Sequence, residues 1–400
     1  MPNPSIDRFL KTRPITQQAA LAQQKHRFGK NPSAPGDPVA SPKGTPRFIP
    51  PPPTNLNNLN LALNVVLPEE TAAAETAGVL VFDAVGDTGG VYGDDVQKAV
   101  ANAMEAQRAA AVGAKKPSAA FLYSLGDVVY FNGQSNLYIS QFYEPYQDYH
   151  AAIFAIAGNH DGDNQPRPGD PPDSESSLFG FTHNFCDTVS HPVSAYRSTM
   201  TQPYVNWTLE APFTRIIGLY SNVDGSLDAR GTNEQQRWLV SQLTAAPKDE
   251  CLILAVHHPP YSLDTTHRGY PEIEVAIDSA IHTTGRVPTA VLSGHVHSYQ
   301  RYERVIGTAK VPYVVAGAGG FANKASLLHQ IETTSKGKPL PRNFQTTHPD
   351  LKLAYFVDNN PGYLRVSVDG KARTLTIEYF VVPFSGAPSG KAVDSIVTPW

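Results

Sequence analysis

The sequence is poor in cysteine, in charge and in long apolar runs. Only Cys186 and Cys251 occur in 400 residues, which excludes a framework of several disulfides. One bridge between them is open to the chain; two unpaired thiols are the expectation. Charged residues make up 17%, with 36 acidic against 32 basic side chains and a formal net charge of −4. That balance lacks the basic footprint of a nucleic-acid binder, so no nucleic-acid partner is expected. The longest apolar runs, such as 251–256, fall far short of the roughly 20 residues that cross a bilayer, and no membrane partner is expected either. The opening residues Met1-Pro2-Asn3-Pro4 lead into no apolar stretch of the secretory type. The chain as written is therefore expected to be cytoplasmic, with export by another route or trimming as the alternatives. Nothing in the sequence indicates an oligomeric state.

Proline, by contrast, is abundant: 35 of 400 residues, against a usual share of ~5%. Nine of these prolines lie between 31 and 54, a density that no helix or strand survives. Residues 1–75 thus read as an N-terminal arm, with a short helix over 16–27 and an extended, polyproline-like segment after it. Residues 76–400 read as one catalytic domain. Strand and helix patterns alternate there, with apolar runs over 79–85, 119–125, 152–157, 251–256 and 289–293. Helices are expected over 94–111, 134–149, 233–243 and 272–282. Short strands follow after residue 299, with Asp369-Gly370 as a hairpin turn. Buried strands alternating with helices indicate an α/β class. The polar stretches 161–191 and 320–348 are long enough to be functional loops.

The chemistry sits where those strands end. Five apolar runs deliver Gly86-Asp87, Gly126-Asp127, Gly158-Asn159-His160-Asp161, His257-His258 and Gly294-His295-Val296-His297 in turn. Ligands of open α/β sheets bind outside the carboxyl ends of strands, so these groups are expected to meet on one rim. Singly, each has an ordinary explanation: Asp beside Gly caps helices, and Asn-His makes turns. Together they are costly without a partner, because unsatisfied polar groups at a buried rim lose free energy. Carboxylate, imidazole, amide and phenol donors suit a metal of borderline hardness such as iron, zinc or manganese.

The set resembles the calcineurin-like metallophosphoesterases and, more narrowly, the purple acid phosphatases. Their motifs stand here as Asp87-Thr88-Gly89, Gly126-Asp127-Val128-Val129-Tyr130, Gly158-Asn159-His160-Asp161, Leu254-Ala255-Val256-His257 and Gly294-His295-Val296-His297. Leu254 in place of Val is the one departure. Gly89 replaces the His of the wider family, and Tyr130 replaces its second Asp. The resemblance covers roughly residues 78–320. It implies a four-layer αββα sandwich of two mixed sheets flanked by helices. It also implies two metal ions, Fe(III) with Fe(II), Zn or Mn. One would be held by Asp87, Asp127, Tyr130 and His297, the other by Asp127, Asn159, His257 and His295. His160 would contact the phosphate. His267, ten residues after His257, matches in spacing a further substrate-contacting His. The implied reaction is hydrolysis of phosphate monoesters of small phosphorylated substrates by metal-bound hydroxide. The alternatives are a phosphodiesterase using the same centre and, more distantly, a binding protein acting through its Pro-rich arm.

Overall fold

The computed structural model describes residues 59–163, 175–195, 197–228 and 233–400. The helix expected over 16–27 and the proline-rich segment 31–54 lie outside these residues. Among the described residues the strands form two mixed sheets. The larger has the order β1 (Asn60–Ala62), β5 (Trp207–Ala211), β6 (Thr214–Leu219), β7 (Cys251–Val256), β8 (Ala290–Ser293), β10 (Ala309–Ala316), β9 (Tyr299–Ile306), β12 (Leu351–Val357) and β11 (Phe344–Gln345). The smaller has the order β15 (Asp394–Pro399), β14 (Thr374–Val381), β13 (Gly362–Asp369), β2 (Val79–Val85), β3 (Ala119–Ser124) and β4 (Ala152–Ala155).

Each sheet has a parallel centre. Strands β2, β3 and β4 run parallel, as do β6, β7, β8 and β10. The central strands β3, β7 and β8 are buried along their whole length, which is why they read as continuous apolar runs rather than alternating ones. The sheets pack face to face. Tyr123 of β3 stacks on Trp207 of β5 at 6.0 Å, and Tyr299 of β9 on Tyr379 of β14 at 3.9 Å. On the outside of the larger sheet lie the helices Glu234–Ala245 and Pro271–Thr284, which bury Leu239, Leu243, Ile273, Ile277 and Ile281. The second of these starts with proline in its first turn and ends at Gly285 with φ 66°, where only glycine is unstrained. Helix Asp95–Gly113 covers the smaller sheet through Val100 and Met104. The architecture is the expected four layers.

Three sequence expectations change. Residues 134–149 do not form an amphipathic helix. They hold a short 3₁₀ turn at Ser135–Leu137 and a π turn at Ile139–Tyr143. Pro145 has no N–H to donate and clashes with the preceding turn, so a helix cannot run through it. Tyr138, Phe142, Tyr143, Tyr146 and Tyr149 are nonetheless buried, at helix-like spacing. The hairpin at Asp369-Gly370 exists, but β13 and β14 pair at Asp369 and Thr374, and the Asp369 carboxylate accepts the N–H groups of Lys371 and Ala372 inside a longer turn. Part of the segment read as an arm is structured: β1 pairs parallel with β5, and helix Pro68–Ala77 leads into β2. Cys186 and Cys251 are both free thiols.

Candidate metal centre

The five motif loops leave the carboxyl ends of β2, β3, β4, β7 and β8, and they meet where the two sheets adjoin. Main-chain bonds stitch them together. Asp87 N–H donates to Gly126 O at 2.9 Å, and Gly294 N–H to His257 O at 3.0 Å. The His295 N–H donates to Asp87 Oδ2 at 2.7 Å, tying the larger sheet to the smaller one. Asp161 clamps its own loop to the one after β3: its carboxylate accepts from Gly158 N–H within the loop and from Val128 N–H and Val129 N–H across it, at 2.8–3.2 Å. Asp87, Asp127 and His295 all have left-handed backbones, with φ of 57°, 54° and 67°. Such strain in non-glycine residues concentrates at functional sites. Gly158 permits the closest approach, since a Cβ there would lie 2.0 Å from Asp127 Oδ1.

The candidate ligands form two groups around Asp127. In the first, Tyr130 Oη lies 3.2 Å from Asp87 Oδ1 and 3.4 Å from His297 Nε2, and His297 Nε2 lies 3.5 Å from Asp87 Oδ1. In the second, His257 Nε2 is 3.3 Å from Asp127 Oδ2 and 3.1 Å from Asn159 Oδ1, which is itself 2.9 Å from His295 Nδ1. Donor atoms of Asp127, His257 and His295 all lie within 4.8 Å of one another, a spacing that fits one metal ion. A backbone carbonyl only accepts, so the 2.7 Å contact of His257 Nδ1 with Leu125 O puts a proton on Nδ1 and turns Nε2 towards the site. His160 sits beside this centre. Its N–H donates to Asp127 Oδ1 at 2.9 Å, and its Nδ1 donates to Phe131 O at 2.8 Å. His267 is exposed at the rim, its ring 4.4 Å from that of His295. All nine residues expected from sequence therefore converge.

Residues 80–299 match the calcineurin-like phosphoesterases. The chain belongs to this family. It is similar to human tartrate-resistant acid phosphatase type 5, 27% identical over 314 residues that span 74% of this chain and 86% of that one. It is also similar to a probable glycerophosphodiester phosphodiesterase of Arcobacter nitrofigilis, 27% identical over 159 residues covering 39% and 53%. A purple acid phosphatase from yellow lupin seeds shares the fold with a TM-score of 0.55 and 17% identity, over 80% of this chain and 53% of that one. The protein is thus a phosphoesterase similar to acid phosphatases, and its family implies a dinuclear metal centre.

The electrostatics of the phosphoesterase site fit such a centre. Burial, with Asp127 adding to it, raises Asp87 to about 7. Burial opposes the charge on His257, but Asp127 and then Asp87 outweigh it and raise this imidazole to about 9. Burial also works against the Asp127 carboxylate, yet His257 and His160 together hold it below the usual range. Protons thus stay on Asp87 and His257 where ordinary side chains would lose them, which marks a cluster short of positive charge. Burial and the neighbouring imidazoles keep His295 well below its usual range and push His297 down to about 3, the neutral forms that donate to metals. His297 Nδ1 is buried with no hydrogen-bond partner.

Several supporting residues escaped the sequence reading. Gln141 brackets Tyr130: its Oε1 accepts the Tyr130 N–H at 2.9 Å and its Nε2 donates to Tyr130 O at 2.8 Å. Tyr270 Oη lies 2.8 Å from His295 Nε2, the ring nitrogen facing away from Asn159. His329, from the 320–348 stretch, stacks on His297 at 4.3 Å and accepts its N–H on Nδ1 at 3.1 Å. His258, which the sequence already sets beside His257, is buried against His295 and Tyr270, with Nδ1 2.7 Å from Ser221 Oγ. Gln141, Tyr270 and His329 belong to no motif, so only the spatial neighbourhood reveals them.

Proposed function

We propose that this phosphoesterase hydrolyses phosphate monoesters at a binuclear centre in which Asp87, Asp127, Tyr130 and His297 hold Fe(III), and Asp127, Asn159, His257 and His295 hold Fe(II), Zn or Mn. The observation that carries the reading is the position of Tyr130. Its phenol stands between Asp87 and His297, and Gly89 is bare beside it: a Cβ there would lie 2.8 Å from Tyr130 Cδ2. The phenol has taken the space of the imidazole that the wider family places on that loop. Two carboxylates and a phenolate favour a trivalent ion paired with a divalent one, and hard oxygen donors favour iron. Two ions there would lower the pKa of a water towards neutrality and clamp the phosphoryl oxygens.

The chain's own groups do the rest. Asp127 faces both ligand groups and bridges them. Leu125 O and Tyr270 Oη orient His257 and His295. His160, with Nδ1 committed to Phe131 O, presents Nε2 to the phosphoryl group, and His267 stands at the rim beside His295 as a second donor for the departing oxygen. The substrates are small phosphorylated compounds. Diester hydrolysis at the same centre is the second reading, supported by the similarity to the probable glycerophosphodiester phosphodiesterase.

A visible absorption spectrum, elemental metal content and paired assays on p-nitrophenyl phosphate and its bis ester test the proposal. A charge-transfer band that disappears in Tyr130→Phe, bound iron and preference for the monoester are expected. A colourless protein with two divalent ions that prefers the diester overturns it.

A further inference from the structure

The site has an aromatic border that no ligand role explains. Tyr92, Phe131 and Phe321 contact one another pairwise, with ring centroids 5.8, 5.3 and 6.0 Å apart and planes inclined by 62–84°. The inner edge of this triangle touches the centre: Phe321 lies 4.2 Å from Tyr130 and 4.6 Å from His297, and Phe131 lies 5.8 Å from His160. The outer edge reaches solvent, where Tyr92 is 50% exposed. We propose that Tyr92, Phe131 and Phe321 form a leaving-group subsite that selects phenolic phosphate esters. This rests on the monoesterase reading and names the substrate class for it.

The border is held in register with the phosphoryl site. Phe321 N–H donates to Asp87 O at 3.0 Å, and Phe131 is the residue that follows Tyr130. The Asn323 side chain donates to Tyr92 O, fixing the outer ring to the Phe321 loop. Shielding Tyr130 does not account for Tyr92. Tyr130 is already buried under Phe321 and His160, whose rings lie 4.2 and 4.5 Å away. Tyr92 sits one ring further out, on Phe131 and Phe321. An aryl group leaving a phosphate seated near His160 would meet these rings edge-to-face or offset, the arrangements aromatic pairs favour. A sugar or short alkyl group would gain little there. Asn159, His160 and His267, also at the site, are polar. Phe321 lies beyond the matched residues 80–299, and Tyr92 and Phe131, which lie within them, are not motif residues.

The test uses the metal-loaded full chain. kcat/KM is measured for phenyl phosphate and glycerol 2-phosphate in wild type, Tyr92→Ala and Tyr92→Phe, with affinities for phenylphosphonate and methylphosphonate by calorimetry. Comparing each substrate with itself across variants cancels leaving-group acidity. The phenyl-to-glycerol ratio is expected to fall about fivefold in Tyr92→Ala and to be retained in Tyr92→Phe. Phenylphosphonate is expected to bind wild type more tightly than methylphosphonate and to lose that advantage in Tyr92→Ala. An unchanged ratio with both substrates still hydrolysed, or equal affinity of the two phosphonates for wild type, overturns the subsite alone. Failure of both substrates and both phosphonates overturns the monoesterase reading with it.

Discussion

Gly89 offers a sharp test of how Tyr130 is seated. A Cβ added there would lie 2.8 Å from Tyr130 Cδ2, 2.7 Å from Gln141 Oε1 and 2.9 Å from Val128 O. Ordinary carbon contacts begin near ~3.5 Å. In Gly89→Ala the phenol ring must therefore retreat by about 0.7 Å or more. Phe321 and His160 stand against it at 4.2 and 4.5 Å. Gln141 cannot yield instead, because both ends of its amide are bonded to the Tyr130 backbone. Overpacking of this kind costs about 1–3 kcal/mol. Gly89 is not among the glycines with a left-handed φ, so alanine brings no backbone strain and the effect is steric. The assay is urea unfolding of the ion-free protein, in single variants and in a cycle with Tyr130→Ala. Gly89→Ala is expected to lose at least about 1 kcal/mol in the wild-type background, and the share due to the ring should vanish in Tyr130→Ala, while the contacts with Gln141 Oε1 and Val128 O persist in both backgrounds. A penalty below about 0.5 kcal/mol, or an equal penalty in both backgrounds, refutes the claim that Gly89 is bare because Tyr130 fills its space.

Three further outcomes follow from the same geometry. Asp127→Ala should lose both ions together, because Asp127 faces both ligand groups; retention of two tightly bound ions by mass spectrometry would remove its bridging role. Tyr270→Phe deletes the 2.8 Å partner of His295 Nε2 and should weaken metal affinity about 10–100-fold in a metal-buffered titration, with the fold intact by circular dichroism; unchanged affinity would show that His295 is oriented by packing alone. Asp83 is fully buried on Arg365, and burial outweighs the guanidinium, raising its pKa from 3.8 to about 6. The native state then holds this proton more tightly than the unfolded chain, so the contribution is complete below about pH 4 and is lost as pH rises through about 6, a difference on the order of 3 kcal/mol. Asp83→Asn should flatten that part of the stability–pH curve in denaturant titrations; an unaltered slope between pH 4 and 6 would assign it to other groups.

Fold class and candidate ligands were legible along the chain because both are local signals. Strands buried on both faces are continuous apolar runs, and the strands of each parallel set end at one edge, so Asp87, Asp127 and Asn159 after Val85, Leu125 and Ala157, and His257, His295 and His297 after Val256 and Ser293, stood out as site residues; the packing of the two sheets brought the two edges together. What the sequence could not carry depends on residues far apart in the chain. Pro145 stops a helix whose buried aromatic spacing still looks helical. The strands β1, β5, β6 and β15 form because neighbouring strands complete their hydrogen bonds, which no short window displays. Gln141, Tyr270 and His329 act by distance and direction, 2.8–3.1 Å from the groups they orient. Those distances, like the protons retained by Asp87 and His257, arise only when chain segments separated by up to 208 residues are packed together out of water, where an uncompensated charge is costly and each donor must find its acceptor.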